Sequence, residues 1–128
     1  AFKRIIPDAE FPTRQEMDLS SRASFVGVDS VIHLAARVGG IKANADFIGD
    51  FYLDNMKINH NVLHQAKEDG VKKLVSLLST CVYPDAIDVR YPLTETQLHA
   101  GPPHESNFGY AYAKRMVDVM SRAYRYSK

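Results

Sequence analysis

Cysteine is almost absent from the chain: Cys81 stands alone, so no internal disulfide can form, and a single thiol fits a reducing compartment. Charge of one sign is equally scarce. Lys and Arg number 16 against 15 Asp and Glu, a formal net charge of +1, and no basic run is longer than the pair Lys72-Lys73. Such a balance provides no field for nucleic acid or an anionic membrane surface, and neither is expected as a partner. No apolar run approaches the roughly 18 residues of a membrane span, and no charged-then-apolar leader opens the sequence, which predicts a cytoplasmic location. Internal repeats and low-complexity segments are also missing. The 128 residues are the length of one domain. Because it opens at Ala1 without a methionine and ends at Lys128 just past a helical pattern, the chain reads as an excerpt.

What is present alternates between strand and helix signals. Ile5 and Ile6 suggest a short strand stopped by Pro7, and Met17 to Gly27, with Asp18 and Ser20 as candidate N-caps, suits a short helix. Val28 to Ala36 (VDSVIHLAA) is a compact apolar run rich in β-branched residues and reads as a buried parallel strand. Gly39 and Gly40 follow it, either where α/β sheets bind ligands or, more simply, as a turn that needs positive φ. From Asn44 to Asp69, Phe47, Phe51, Ile58, Val62 and Ala66 share one helical face, widened by Met56 and Leu63; a break is expected near Gly49 and a stop at Gly70. Lys73 to Thr80 (KLVSLLST) is a second apolar strand, so strand, helix, strand predicts a right-handed crossover. A long polar connection over 81–106, with Pro84, Pro92, Pro102 and Pro103, has the length of a functional loop. Asn107 to Tyr126 is then helical, with Tyr112, Met116, Val119, Met120 and Ala123 as its apolar stripe.

Chemistry concentrates at the end of this pattern. Tyr110 and Lys114, four positions apart, share a helix face. A lysine cation within a few ångströms lowers a phenol pKa of about 10 by roughly 1–3 units, into the range of a general acid. The same spacing also describes an ordinary snorkelling pair. Ser79 and Thr80 end the second strand, the glycine pair follows the first, and Tyr110 opens the last helix. In an open parallel sheet these points share one edge, so hydroxyl, phenol and ammonium can converge on one substrate carbonyl.

The Ser79, Tyr110 and Lys114 combination, with VIHLAA on the earlier strand, resembles the extended short-chain dehydrogenase/reductase family that acts on nucleotide sugars. HLAARVGGIKAN, LLSTCVYP and GPPHESNFGYAYAKRM are most similar to the branch that epimerises and then reduces GDP-4-keto-6-deoxy-D-mannose with NADPH, and the resemblance extends from about Thr13 onward. It implies that Tyr110 protonates the C4 oxygen, that Lys114 holds the nicotinamide ribose and depresses the tyrosine pKa, and that Ser79 hydrogen-bonds the sugar carbonyl. Cys81 takes the place of the epimerisation acid/base at C3 and C5; apart from the family, a cysteine after a strand is a small buried apolar residue. On the NADP(H) side, Arg14 matches the cation that pairs with the 2′-phosphate, for which an arginine fork is suited. Asp18 and Leu19 match the adenine contact, and Leu34, Ala35 and Ala36 line the dinucleotide. Apart from the family, Arg14 is equally a solvated surface cation. Among the histidines, His33 reads as a core residue; His60 and His64 share a helix face without a third metal ligand, so no metal is expected; His99 and His104 do not match the family's catalytic histidine.

The departures define the expected architecture. No G-x-x-G-x-x-G segment occurs, so the turn that cradles a pyrophosphate is missing. The fold expected is α/β: a partial Rossmann-like, doubly wound parallel sheet lacking the first strand with its Gly-rich loop and the C-terminal substrate domain, with residues 1–128 as one partial NADP-binding domain. The absent strand would sit between those near Ile5 and Ile32. A GDP-sugar is the expected substrate, the isolated chain is expected to turn over little, and a homodimer through the helices near 47–69 and 107–126 is the expected assembly. Two other readings stay open: another nucleotide-sugar epimerase or dehydratase, and a non-catalytic association module.

Overall fold

The computed structural model describes residues 2–85 and 90–127; of the long connection, 86–89 lie outside the described residues. Two strands form its sheet, β1 (Ser30–His33) and β2 (Lys73–Ser76), paired in parallel with Ser30 opposite Lys73 and His33 opposite Ser76. Both are shorter than the apolar runs that contain them. The last bond between the two segments runs from Leu77 N to His33 O at 3.1 Å, and Leu34 to Ala36 continue as irregular backbone. Alternation along a strand sends Val31 and Leu74 toward the core. Ile32 and Val75, also opposite one another, face the other way at 41% and 42% exposure.

The connection between the strands is helical, as the periodicity predicts, but in two pieces: α2 (Ile41–Asp46) and α3 (Ile48–Glu68). The break is at Phe47 (φ −129°, ψ 40°), not at Gly49. Phe47 N–H closes α2 on Ala43 O, and Phe47 O accepts from Phe51 N, which starts α3. Gly70, at φ +71°, ends α3 as expected, with Val71 N donating back to Ala66 O at 2.9 Å. Phe51, Val62, Leu63 and Ala66 are buried, whereas Phe47 is exposed and Asn55 and Asn59, absent from the expected apolar face, are wholly sealed at 0%.

The last helix, α4 (Phe108–Tyr126), lies along α3, and its orientation corrects the expected stripe. Its buried residues are Gly109, Ala111, Ala113, Lys114, Arg115 and Val117; of the expected stripe Met120 packs against the core, while Tyr112, Val119 and Ala123 are exposed. Small side chains let the helices approach: a Cβ on Gly109 would lie 2.5 Å from Ile48 O at the start of α3. The core comprises Ala23, Phe25, Val62, Leu63, Ala66 and Val117.

Two N-terminal expectations fail. Ile5 belongs to a single helical turn, α1 (Phe2–Ile5), not to a strand, and the turn stops before Pro7, which disfavours helix in the residue preceding it. Met17 to Gly27 forms turns instead of a helix, because Asp18 Oδ1 accepts from Ser20 N (3.0 Å) and Ser20 Oγ (2.7 Å), a local bond that competes with helical pairing. Phe25 N donates to Asp69 Oδ2 at 2.6 Å, tying this segment to the end of α3. Among the described residues no helix is long and apolar enough to cross a membrane.

Candidate functional site

At the carboxyl end of β2 the chain tightens into a 3-10 turn, Thr80–Val82, and Ser79 is its N-cap: the Ser79 hydroxyl accepts from Cys81 N at 3.3 Å. Arg115 fastens this turn to α4, donating from Nε to Val82 O at 2.6 Å. Tyr110 lies in the first turn of α4, its phenol within electrostatic reach of the Ser79 hydroxyl and of Cys81. One helical turn later Lys114, only 2% exposed, donates from Nζ to Leu77 O at 3.1 Å. The strand end, the turn and the helix start thus bring Ser79, Cys81, Tyr110 and Lys114 together.

The electrostatics differ from those expected of the Tyr–Lys spacing. Burial pushes the Tyr110 phenol above its ordinary pKa; the Ser79 hydroxyl opposes that rise, and the Cys81 thiolate would add to it. Lys114 is not what tunes the phenol, since its ammonium is drawn to the Leu77 carbonyl, and burial lowers its own pKa. The expected depression of the tyrosine pKa by Lys114 is therefore corrected. Tyr110 is held as a neutral phenol, able to donate a proton.

The residues assigned to the dinucleotide lie at the ends of other segments. Leu34 and Ala35 are exposed beyond β1, and Ala36 is half-buried. Asn55 templates the next residue, accepting from Arg37 N at 3.0 Å and donating to Arg37 O at 2.9 Å. Asn44 holds the glycine pair through its Nδ2 alone, which donates to Gly39 O (2.9 Å) and Gly40 O (3.1 Å). Neither glycine has positive φ, so the turn reading fails; Gly39 is needed because a Cβ there would sit 2.8 Å from the Phe51 ring. Arg14 projects into solvent with Nε 3.8 Å from Asp18 Oδ1, and Asp18 is held below its usual pKa mainly by the Ser20 hydroxyl. Leu19 O accepts from Asn61 Nδ2 at 2.9 Å, which anchors this loop to α3.

His33 is the buried core histidine expected, its Nε2 3.0 Å from Asn59 Oδ1. His60 and His64 stack at 5.5 Å, His99 Nε2 meets Asp118 Oδ2 at 2.9 Å, and His104 Nδ1 accepts from Ser106 N at 3.1 Å. Among the described residues no cluster of three or more metal-binding side chains occurs. The asparagines are what the sequence reading missed. Their available signal is spacing: Asn55 and Asn59 fall a helical turn apart, in line with Phe51 and Val62, where a buried polar side chain demands a partner.

The sequence profile of the NAD dependent epimerase/dehydratase family matches residues 8–128. A GDP-L-fucose synthase from Dictyostelium discoideum is 50% identical over 120 residues, covering 89% of this chain and 37% of that protein. A GDP-L-fucose synthetase from Naegleria fowleri, solved bound to NADP, is similar with a TM-score of 0.67 at 52% identity, over 76% of this chain and 28% of its own. A GDP-D-glycero-L-gluco-heptose synthase from Campylobacter jejuni, solved in the presence of NADPH, gives a TM-score of 0.83 at 28% identity over 97% of this chain and 37% of its own. The chain thus spans about a third of the length of the relatives it matches. Matched by the profile from residue 8 to its last residue, and sharing the α/β fold of these relatives, the chain belongs to the NAD dependent epimerase/dehydratase family.

Proposed function

We propose that residues 1–128 carry the proton-handling centre and part of the cofactor cradle of a GDP-L-fucose synthase, which epimerises GDP-4-keto-6-deoxy-D-mannose at C3 and C5 and reduces it at C4. The observation that supports this most directly is the convergence of Ser79 and Cys81, at the turn after β2, with Tyr110 and the buried Lys114 at the start of α4. In this reading Ser79 orients the C4 carbonyl, and Tyr110 donates its phenolic proton to the C4 oxygen as that oxygen becomes a hydroxyl. Cys81 exchanges protons at C3 and C5. Lys114 presents a fixed cation for a ribose hydroxyl.

The residues present suit NADPH in part. The Arg14 guanidinium, exposed and only loosely paired with Asp18 at 3.8 Å, suits a fork onto a 2′-phosphate, and Leu34 and Ala35 leave open backbone at the end of β1. When bound, NADPH supplies the hydride. The 128 residues contain no glycine-rich pyrophosphate cradle, so alone they are expected to bind it weakly and to turn over little. These features support the reading of residues 1–128 as one partial Rossmann domain.

The outer face of α3 and α4, where Tyr52, Met56, Phe108, Tyr112, Met116 and Val119 line an apolar groove, suits contact with a second copy of the chain. Similarity to a GDP-mannoheptose C4 reductase from Campylobacter jejuni favours one alternative, reduction at C4 of a different GDP-sugar.

A chimera decides between them: residues 1–128 replace the corresponding segment of the Dictyostelium enzyme, and NADPH oxidation and solvent-deuterium incorporation at C3 and C5 are followed on GDP-4-keto-6-deoxy-D-mannose. Turnover is expected, with Tyr110→Phe lowering it about 10²- to 10⁴-fold and Cys81→Ser abolishing deuterium incorporation. Turnover without deuterium incorporation at C3 and C5 favours the alternative, and Tyr110→Phe without effect removes both.

A further inference from the structure

Asn59 is sealed at 0% exposure in the middle of α3, where packing alone would be served by leucine. A buried carboxamide costs about 1–3 kcal/mol unless its polar atoms are paired. Both ends of Asn59 are paired, and the partners belong to different elements. Its Nδ2 donates to Ala113 O at 3.0 Å, the α4 carbonyl immediately before Lys114. Its Oδ1 lies 3.0 Å from His33 Nε2, on the last residue of β1, immediately before Leu34 to Ala36.

This geometry dictates a protonation state. Carbonyl oxygens only accept, so the amide nitrogen must face Ala113 and the amide oxygen must face His33. The oxygen then requires a proton on His33 Nε2. His33 is also buried and within the field of the Lys114 ammonium, which favours the neutral ring. A neutral imidazole protonated at Nε2 satisfies every one of these conditions.

We propose that Asn59 is a positioning residue, whose carboxamide fixes His33 as the Nε2–H imidazole and joins the end of β1 to the α4 turn that aims Lys114. It rests on the reading of Lys114 as a cofactor-binding residue. The carboxamide sets the separation of two groups that act on one cofactor: the backbone beyond His33 and the Lys114 ammonium. A residue that merely filled the core would leave both the tautomer and the cofactor contact untouched.

The test has two arms. In the 128-residue chain, long-range ¹⁵N NMR of the imidazole is expected to show His33 neutral and protonated at Nε2. Asn59→Asp keeps an acceptor toward His33 and so keeps that tautomer, while it turns an oxygen toward Ala113 O; Asn59→Leu removes both bonds and releases the tautomer. In the Dictyostelium chimera both variants are expected to raise the KM for NADPH on the order of tenfold, with a smaller change in kcat. His33 protonated at Nδ1 in the parent chain overturns the proposal, as does an unchanged KM in either folded variant. Should Asn59→Leu fail to fold, Asn59→Asp and the parent tautomer still decide. A parent chimera that oxidises no NADPH refutes the function proposed above instead, and leaves the tautomer measurements to judge Asn59.

Discussion

At the scale of single residues, the site works by keeping a phenol and an ammonium in opposite states of difficulty. Burial raises the Tyr110 pKa and lowers that of Lys114, which works against the ordinary order in which a phenol gives up its proton before an ammonium. The sign of the pH dependence follows. Because burial lowers the Lys114 pKa and raises that of Tyr110, the alkaline limb of kcat/KM for the chimera is expected to report Lys114 and to lie below the range of an ordinary lysine. Lys114→Arg keeps the cation, so it is expected to move that limb to higher pH whatever its effect on the maximal rate. A pH–rate profile measures this, and a limb that stays in place would assign it to Tyr110. The spacing of Tyr110 and Lys114 was legible in the sequence, but the direction of the tyrosine shift was not. Helical periodicity tells which residues share a face; it does not tell that a carbonyl from another element, Leu77 O, captures the ammonium.

At the scale of elements, two glycines do different work, and substitution separates them. Gly109 has ordinary φ but no room: a Cβ would meet Ile48 O at 2.5 Å and Ile48 Cγ2 at 2.9 Å. Gly70 has room but φ +71°. Gly109→Ala should therefore cost about 1–3 kcal/mol by overpacking, and Gly109→Asn no less. Gly70→Ala should cost about 1–2 kcal/mol, most of it recovered in Gly70→Asn because asparagine tolerates the left-handed conformation. Urea unfolding of the four variants checks the pattern; equal losses for Ala and Asn at Gly70 would contradict the conformational cause. The long helices were legible because their apolar periodicity runs for several turns. The buried side of α4 was not, since its stripe was chosen by the size of Tyr112, Met116 and Val119, while the surface that α3 accepts is the small one at Gly109, Ala111 and Ala113. The segment around Asp18 was misread because an N-cap residue and an Asx-turn residue are the same residue; only its bonds to Ser20 distinguish them.

At the scale of the whole molecule, the strand–helix–strand order and the α/β class were readable from two apolar runs and the helical span between them, and the sheet edge that gathers Ser79 and Tyr110 followed from it. The extent of the sheet was not readable, because Ile5 and Ile6 carry strand propensity without a partner. Two apolar surfaces result. One is the sheet face bearing Ile32, Leu34, Val75 and Leu77; the other is the helix face bearing Tyr52, Tyr112 and Val119. Parallel sheets are normally covered on both faces, so either surface can drive self-association, and the two make opposite predictions. If the helix face forms the dimer, Met116→Glu with Val119→Asp places two carboxylates in its centre and should give a monomer by sedimentation, while Ile32→Thr with Val75→Thr leaves the dimer intact. The desolvation of unpaired charge, several kcal/mol for each carboxylate, is enough to outweigh the apolar contact around it. A dimer that survives the helix-face pair and dissociates with the sheet-face pair would place the association on the sheet and remove the helices from the interface.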